Sequence, residues 1–282
     1  MTFLIEFNKV LGNKRTQIKQ NNKDIKILSI FLTRDETTFL EENYKNVERQ
    51  KGVHQNIYLV SAKPIGNHKN NFVVNVPSDL PIPFRIGISI RTLLRKIDLL
   101  SYTHIFKVDG DIKLPLDYLS NLLDKGGCVA GIGSALLISV SFFIERMMGA
   151  YPLNYCDDGY VLAFGASTLG VFPPSYDGNG IIETLPNPIS KNIEYFYGTE
   201  YYKFGLPLKI LLMNKLLFML KNPIEGLKSL IYCISGYISA IVNREKRYEW
   251  CKNYSKVANS PYCWKIYFSS RKRIRPLKPQ QR

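Results

Sequence analysis

The chain has 282 residues, of which 45% are hydrophobic and 22% charged. This balance excludes an intrinsically disordered chain and leaves room for one α/β domain of ordinary size plus an appendage. The net charge of +15 is unevenly spread: residues 244–282 hold 12 Lys/Arg against 2 Asp/Glu, about +10, so the rest of the chain is only mildly basic.

Five cysteines (Cys128, Cys156, Cys233, Cys251, Cys263) show no CxxC spacing. An odd count in a chain this long predicts free thiols and a reducing cytoplasm rather than a disulfide framework. The first ten residues include Glu6 and Lys9 and lack the apolar core of a signal peptide. No stretch has about 20 uninterrupted apolar residues, the length of a membrane span.

In chain order, residues 1–24 read as a leader of unknown role. Ile25–Leu32 is predicted as a strand, Thr33-Arg34-Asp35-Glu36 as a turn, and Thr37 and Thr38 as caps of a helix running to Glu48. Asn56–Val60 is predicted as a second strand. Strand, turn, helix and strand make a βαβ unit, whose strands are normally parallel. Residues 65–84 read as loop, with Pro77, Pro81 and Pro83. Next, Arg85-Ile86-Gly87 opens a helix through Arg91, and an arginine near a helix N-terminus suits phosphate.

Residues 105–115 read IFKVDGDIKLP. An apolar run ends here in Asp109 and Asp111, with Gly110 between them, as at the C-terminal edge of a buried strand. In open α/β sheets that edge faces the ligand crevice. Two carboxylates on one side can hold Mg²⁺ or Mn²⁺, which can bridge a diphosphate. The competing reading is a surface turn, since Asp-Gly-Asp is common in turns.

A helix with an apolar face follows Pro115, then strand, Gly-rich turn and strand over residues 126–139. The helix holding Phe142, Phe143, Met147 and Met148 is expected to face the core. Asp157-Asp158 then opens a small-residue helix ending at Gly170, either as helix caps or as functional carboxylates. Beyond it, residues 206–220 and 224–242 form two apolar helices separated at Asn222-Pro223, and an aromatic, basic tail closes the chain.

The stretch FKVDGDIKLPLDYLSNLL, residues 106–123, closely resembles the Asp-x-Asp segment of family 2 glycosyltransferases of the GT-A fold. The likeness extends over about residues 25–170. It implies a Rossmann-like α/β fold with a mostly parallel sheet and flanking helices, to which the apolar helices after residue 205 add a C-terminal helical appendage. It also implies transfer of a sugar from a nucleotide-diphosphate sugar to an acceptor hydroxyl, with inversion, using divalent Mn²⁺ or Mg²⁺. By the same resemblance Asp109 and Asp111 hold metal and donor, and Thr33, Arg34 and Asp35 lie at the nucleotide. An ordinary βα loop is the other reading of that turn. Arg85 matches the arginine over the donor diphosphate, while Arg91 reads as structural.

Asp158, with Asp157, matches the acidic pair that supplies the general base. Glu194 is the reserve because it lies 85 residues after Asp109, a more usual family separation than the 49 of Asp158; Glu200 is a third candidate. The chain departs from the family after its second strand. An acidic segment contacts the base in relatives, whereas here Val60-Ser61-Ala62-Lys63-Pro64 stands.

The expected organisation is a leader (1–24), a catalytic domain (25–204) and a helical basic region (205–282) that is either membrane-interfacial or packed on the catalytic part. A glycan or lipid-linked acceptor and an anionic membrane surface are the expected partners. The expected location is cytoplasmic and peripheral. A nucleotidyltransferase is the alternative enzyme, but its Gly-rich basic loop is missing after the first strand. A non-catalytic membrane- or nucleic-acid-binding protein is the alternative outside enzymes, and the acidic pair gives nucleic-acid binding no support.

Overall fold

The computed structural model describes residues 25–66, 68, 70–184, 190–260 and 274–276. The leader and nearly all of the tail after Ser260 lie outside the described residues. A six-stranded sheet carries the fold. Its strands are β1 (Lys26–Leu32), β2 (His54–Ser61), β3 (Asn71–Val73), β4 (His104–Asp109), β6 (Val129–Ile132) and β7 (Ala135–Ser139), in the order β3-β2-β1-β4-β7-β6. β1 runs parallel to β2 and β4, and β2 to β3; only β7 is antiparallel to its neighbours. The chain builds outward from β1 through β2 to β3, then returns to the other side of β1 as β4. That reversal between β1 and β4 is where open sheets bind ligands. A small second sheet pairs β5 (Ile112–Lys113) with β8 (Ile181–Glu183), and β8 with β9 (Ile274–Pro276).

Alternation along β1 and β4 sends side chains to two apolar cores, one on each face of the sheet. Leu28, Ile30 and Ile105 enter one with Ile90 and Leu93 of α2 (Ile82–Leu94). Ile27, Phe31, Phe106 and Val108 enter the other with Val47 of α1 (Glu41–Glu48) and Tyr118, Leu119 and Leu122 of α3 (Tyr118–Lys125).

α1 starts later than the threonine caps predict. Thr37 donates from its backbone N–H and its hydroxyl to Asp35 Oδ1 at 3.1 and 2.6 Å, and Thr38 is bonded into the same knot. The threonines therefore close the turn, and the helix begins at Glu41 without a side-chain cap. α4 (Val140–Glu145) and the turn after it bury Phe142, Phe143 and Met147 as expected. Met148 differs: it is exposed, at the apex of a turn with φ of 55°.

α5 (Asp157–Leu169) ends at Gly170 in the left-handed conformation. The C-terminal elements are α6 (Lys191–Phe204), α7 (Leu208–Lys221), α8 (Pro223–Val242) and α9 (Cys251–Ala258). They share a third core with α5, through Ala163, Ala166, Phe204, Tyr237 and Tyr254. Among the described residues no helix is long and apolar enough to cross a membrane.

Candidate active site

β1 and β4 pair with Leu32 opposite Asp109, and β1 and β2 with Leu32 opposite Val60. The three strands thus end level, and the segments leaving them wall one cleft of about 310 Å³. Thr33, Arg34, Arg85, Asp109 and Asp111 line it together with apolar Val60, Ala62 and Val76. The sequence candidates for donor binding therefore converge, apart from Asp35. Its carboxylate is turned back into its own loop, hydrogen-bonded to Thr37 and ion-paired with Arg34 at 2.9 Å. The Thr37 bond first, and the Arg34 bond and charge with it, hold it down at about 2 against a smaller upward push from burial. Asp35 thus shapes the turn that presents Thr33 and Arg34.

The backbone of the Asp-Gly-Asp turn is pinned on all sides. The Gly110 N–H donates to the Leu32 carbonyl at 2.7 Å, Asn43 Nδ2 to the Gly110 carbonyl at 2.8 Å, and Thr184 N–H to the Asp111 carbonyl at 2.7 Å. A Cβ on Gly110 would lie 2.8 Å from the Leu32 carbonyl oxygen, so this approach needs glycine. Asp109 and Asp111 are the residues that could hold a divalent metal. Among the described residues no cluster of three or more His, Cys, Asp or Glu forms a complete protein cage. Two carboxylates at a cleft edge suit an ion that takes its remaining oxygens from a diphosphate and water.

Behind the cleft lies a residue that the sequence reading passed over. Lys107, 1% exposed, points along β4 toward the sheet edge. Its Nζ lies 2.8 Å from Asp109 Oδ1, 2.8 Å from Asp158 Oδ2 and 3.2 Å from the Gly133 carbonyl oxygen. Asp158 accepts a second bond on Oδ1 from the Tyr151 hydroxyl at 2.6 Å. Burial alone would lower the Lys107 ammonium, but Asp109, Asp158 and Asp157 outweigh it and hold it charged, above its ordinary range. Burial pushes the Asp109 carboxyl up, Lys107 draws it back, and Asp158 raises it again, to about 7 overall.

A lysine inside the apolar run IFKVD was the available signal, since a buried cation needs anionic partners. Tyr151 carried none. Its carbonyl accepts from Arg91 Nε at 2.5 Å, which gives Arg91 the structural role read from the sequence.

Cys156, not an aspartate, is the N-cap of α5 and gives no side-chain bond, and Asp157 and Asp158 occupy the first turn of the helix. Asp157 is buried, and its Oδ2 has no hydrogen-bond partner. Burial first, then Asp158, pushes its carboxyl well up. Glu194 on α6 is tied to Lys215 of α7 at 2.5 Å, and Lys215 also donates to Ser229 of α8 at 2.8 Å. Glu200 is buried and accepts from the Tyr248 hydroxyl at 3.0 Å and from Lys203 at 3.3 Å. Neither glutamate lines the cleft, nor do Asp157 and Asp158; Glu194 ties α6 to α7, and Glu200 ties α6 to the segment before α9. Arg85 sits in the first turns of α2, and its buried Nε has no hydrogen-bond partner. A buried guanidinium N–H in a cleft is a ready anion contact.

No protein-family profile matches the chain, and no curated protein sequence matches it. In structure it is similar to the mannosyltransferase PcManGT from Pyrobaculum calidifontis, solved in complex with GDP-Man and Mn2+. The two superimpose with a TM-score of 0.44 and 10% sequence identity, over 94% of this chain and 92% of that chain.

Proposed function

We propose that the chain is a glycosyltransferase of the GT-A type, with residues 25–204 as its catalytic part. It would move a sugar from a nucleotide-diphosphate sugar to an acceptor hydroxyl with inversion. The observation that carries this reading is Lys107, which joins Asp109 on the donor side to Asp158 across one buried ammonium.

Thr33 and Arg34 flank the nucleotide, and the base lies against the apolar wall of Val60, Ala62 and Val76. Ser61 does not replace the acidic base contact of relatives, because its hydroxyl bonds to the Lys63 carbonyl and to Asn71. Arg85 directs its unpartnered Nε at the diphosphate. Asp111, with Asp109, would hold Mn²⁺ or Mg²⁺, which when bound would supply Lewis-acid neutralisation of the leaving diphosphate. Asp158 accepts the proton of the acceptor hydroxyl as its oxygen bonds to the anomeric carbon. The carbon–phosphate-oxygen bond breaks, and the nucleoside diphosphate leaves with that electron pair. Tyr151 and Lys107 hold Asp158 in place for this step.

The acceptor is a glycan or a lipid-linked group, met at the cytoplasmic face of an anionic membrane. The basic region after Val242 supports that location. A nucleotidyltransferase is not favoured, because the turn after β1, Thr33-Arg34-Asp35-Glu36, is not the Gly-rich, basic loop such an enzyme carries.

Calorimetry with a panel of nucleotide sugars, with and without Mn²⁺, tests the reading. The wild type should bind one donor in a metal-dependent way, and Asp111→Asn should lose the metal-dependent part with its thermal stability unchanged. Equal donor affinity in the two proteins sinks the assignment.

A further inference from the structure

α8 is built the wrong way round for a helix in water. Its inward face carries Gly226, Ser229, Cys233, Gly236 and Ala240, all buried, with Tyr237 the one large side chain buried among them. The approach is close: a Cβ on Gly236 would lie 1.8 Å from the Tyr195 carbonyl oxygen of α6, and one on Gly198 of α6 1.9 Å from the Cys233 carbonyl oxygen of α8. Its outward face carries Ile224, Leu227, Ile231, Ile238, Ile241 and Val242, each between 46% and 72% exposed. Their spacing of three, four or seven residues makes one stripe along the helix. A helix of a water-soluble protein turns its large apolar residues inward. A mostly small inner face with large apolar residues outside is the arrangement of helices packed together against lipid.

We infer that the outward face of α8 is the surface by which this protein lies on an anionic phospholipid bilayer. The helix is not a span: none of the described helices is long and apolar enough, and the first turns of α8 hold the exposed Glu225–Lys228 pair at 2.9 Å. It lies in the plane of the interface, its stripe among the acyl chains. Charge selects the partner. Arg244, Lys246, Arg247, Lys252 and Lys256, all exposed, follow the stripe, against exposed Glu245 and Glu249. Basic residues beside an apolar stripe favour anionic head groups. The surface deepens the reading of a lipid-linked acceptor and rests on it only for its purpose, which is to bring the enzyme to such an acceptor.

Flotation of the full chain with phosphatidylglycerol-rich vesicles and with phosphatidylcholine vesicles tests this. The wild type should float with the former, much less with the latter, and be partly released by salt. Ile231→Lys with Ile238→Lys should cut the bound fraction by at least about tenfold, because two apolar anchors become charged. The milder Ile231→Ser with Ile238→Ser should cut it less. Both changes lie on the exposed face, so metal-dependent donor binding by calorimetry should match the wild type. That readout separates this surface from the catalytic reading. Wild type left at the bottom of the gradient with anionic vesicles overturns the inference. So do lysine variants that float as well as wild type, or a vesicle-free wild-type dimer that those variants split in ultracentrifugation, which assigns the stripe to a second copy.

Discussion

Lys107 combines a cost and a use in one side chain. Burying an ammonium is expensive unless it is paired and hydrogen-bonded, and here two carboxylates and the Gly133 carbonyl satisfy it. Lys107→Met keeps most of the volume and leaves two carboxylates facing one another without their cation. Removing one partner of a buried pair costs about 3 kcal/mol, less where the remaining charges reach water. Denaturant melts should therefore show a clear loss of stability, and turnover should fall with it. If Lys107 acts by positioning Asp158, the Lys107→Met, Asp158→Asn double variant loses little more activity than either single one; full additivity overturns that link. His104, at the start of the same strand, gives a pH prediction. Burial lowers its imidazole from the usual 6.5 to about 4. The unfolded chain therefore takes up a proton between about pH 6.5 and 4 that the folded chain refuses, so stability falls as pH drops through that window. The loss reaches at most roughly 3 kcal/mol. Urea midpoints at pH 7.5 and pH 5, compared with those of His104→Gln, isolate this group, and the variant should lose less on acidification. An equal drop in both proteins contradicts it.

At the level of elements, β1, β2, β4 and the β6–β7 hairpin were legible because buried strands of four to eight residues stand out as apolar runs between turn residues. The break between α7 and α8 was legible from Asn222-Pro223. The start of α1 was not, because whether a threonine caps a helix or closes a turn depends on where Asp35 points. The convergence of Thr33, Arg34, Arg85, Asp109 and Asp111 on one cleft followed from strand order and motif. The internal placement of Glu194 did not, since its partner Lys215 lies 21 residues away on another helix. Helix contacts of that kind are set by packing, and α6 against α8 shows how tightly. Gly236→Ala puts a methyl group into a backbone carbonyl of α6, so the two helices must part. Overpacking of this kind costs about 1–3 kcal/mol or more. The effect should reach the site, because Phe196 of α6 stacks on Tyr155 at 3.8 Å, two and three residues before Asp157 and Asp158. Gly236→Ala should thus lower both the melting temperature and turnover, with donor affinity little changed; unaltered melting shows that the helices yield without strain.

Across the whole molecule, the C-terminal helices share apolar contacts with the sheet domain rather than hanging from it. Trp250 packs at 5.2 Å on Tyr248, at 5.3 Å edge-on to Tyr160 of α5, and at 5.7 Å on Phe204 of α6. Tyr254 of α9 meets Phe172 just after α5, and Asn154, in the loop before α5, donates to the Tyr248 hydroxyl at 3.5 Å. Because α5 begins with Asp157 and Asp158, the segment from Tyr248 to Ala258 braces the helix that carries the proposed base. This arrangement predicts one cooperative unfolding unit, with no separately stable catalytic part. The chain has two tryptophans, so Trp264→Phe leaves Trp250 as the sole indole, placed at the junction. In guanidinium titrations of that variant, Trp250 emission should change at the same midpoint as far-UV circular dichroism, the mark of a two-state transition. Trp250→Ala, which removes a large half-buried aromatic, should lower that midpoint by an amount equivalent to about 2 kcal/mol. Two separated midpoints, with emission changing first, instead make the C-terminal helices an independent unit that docks on the sheet domain.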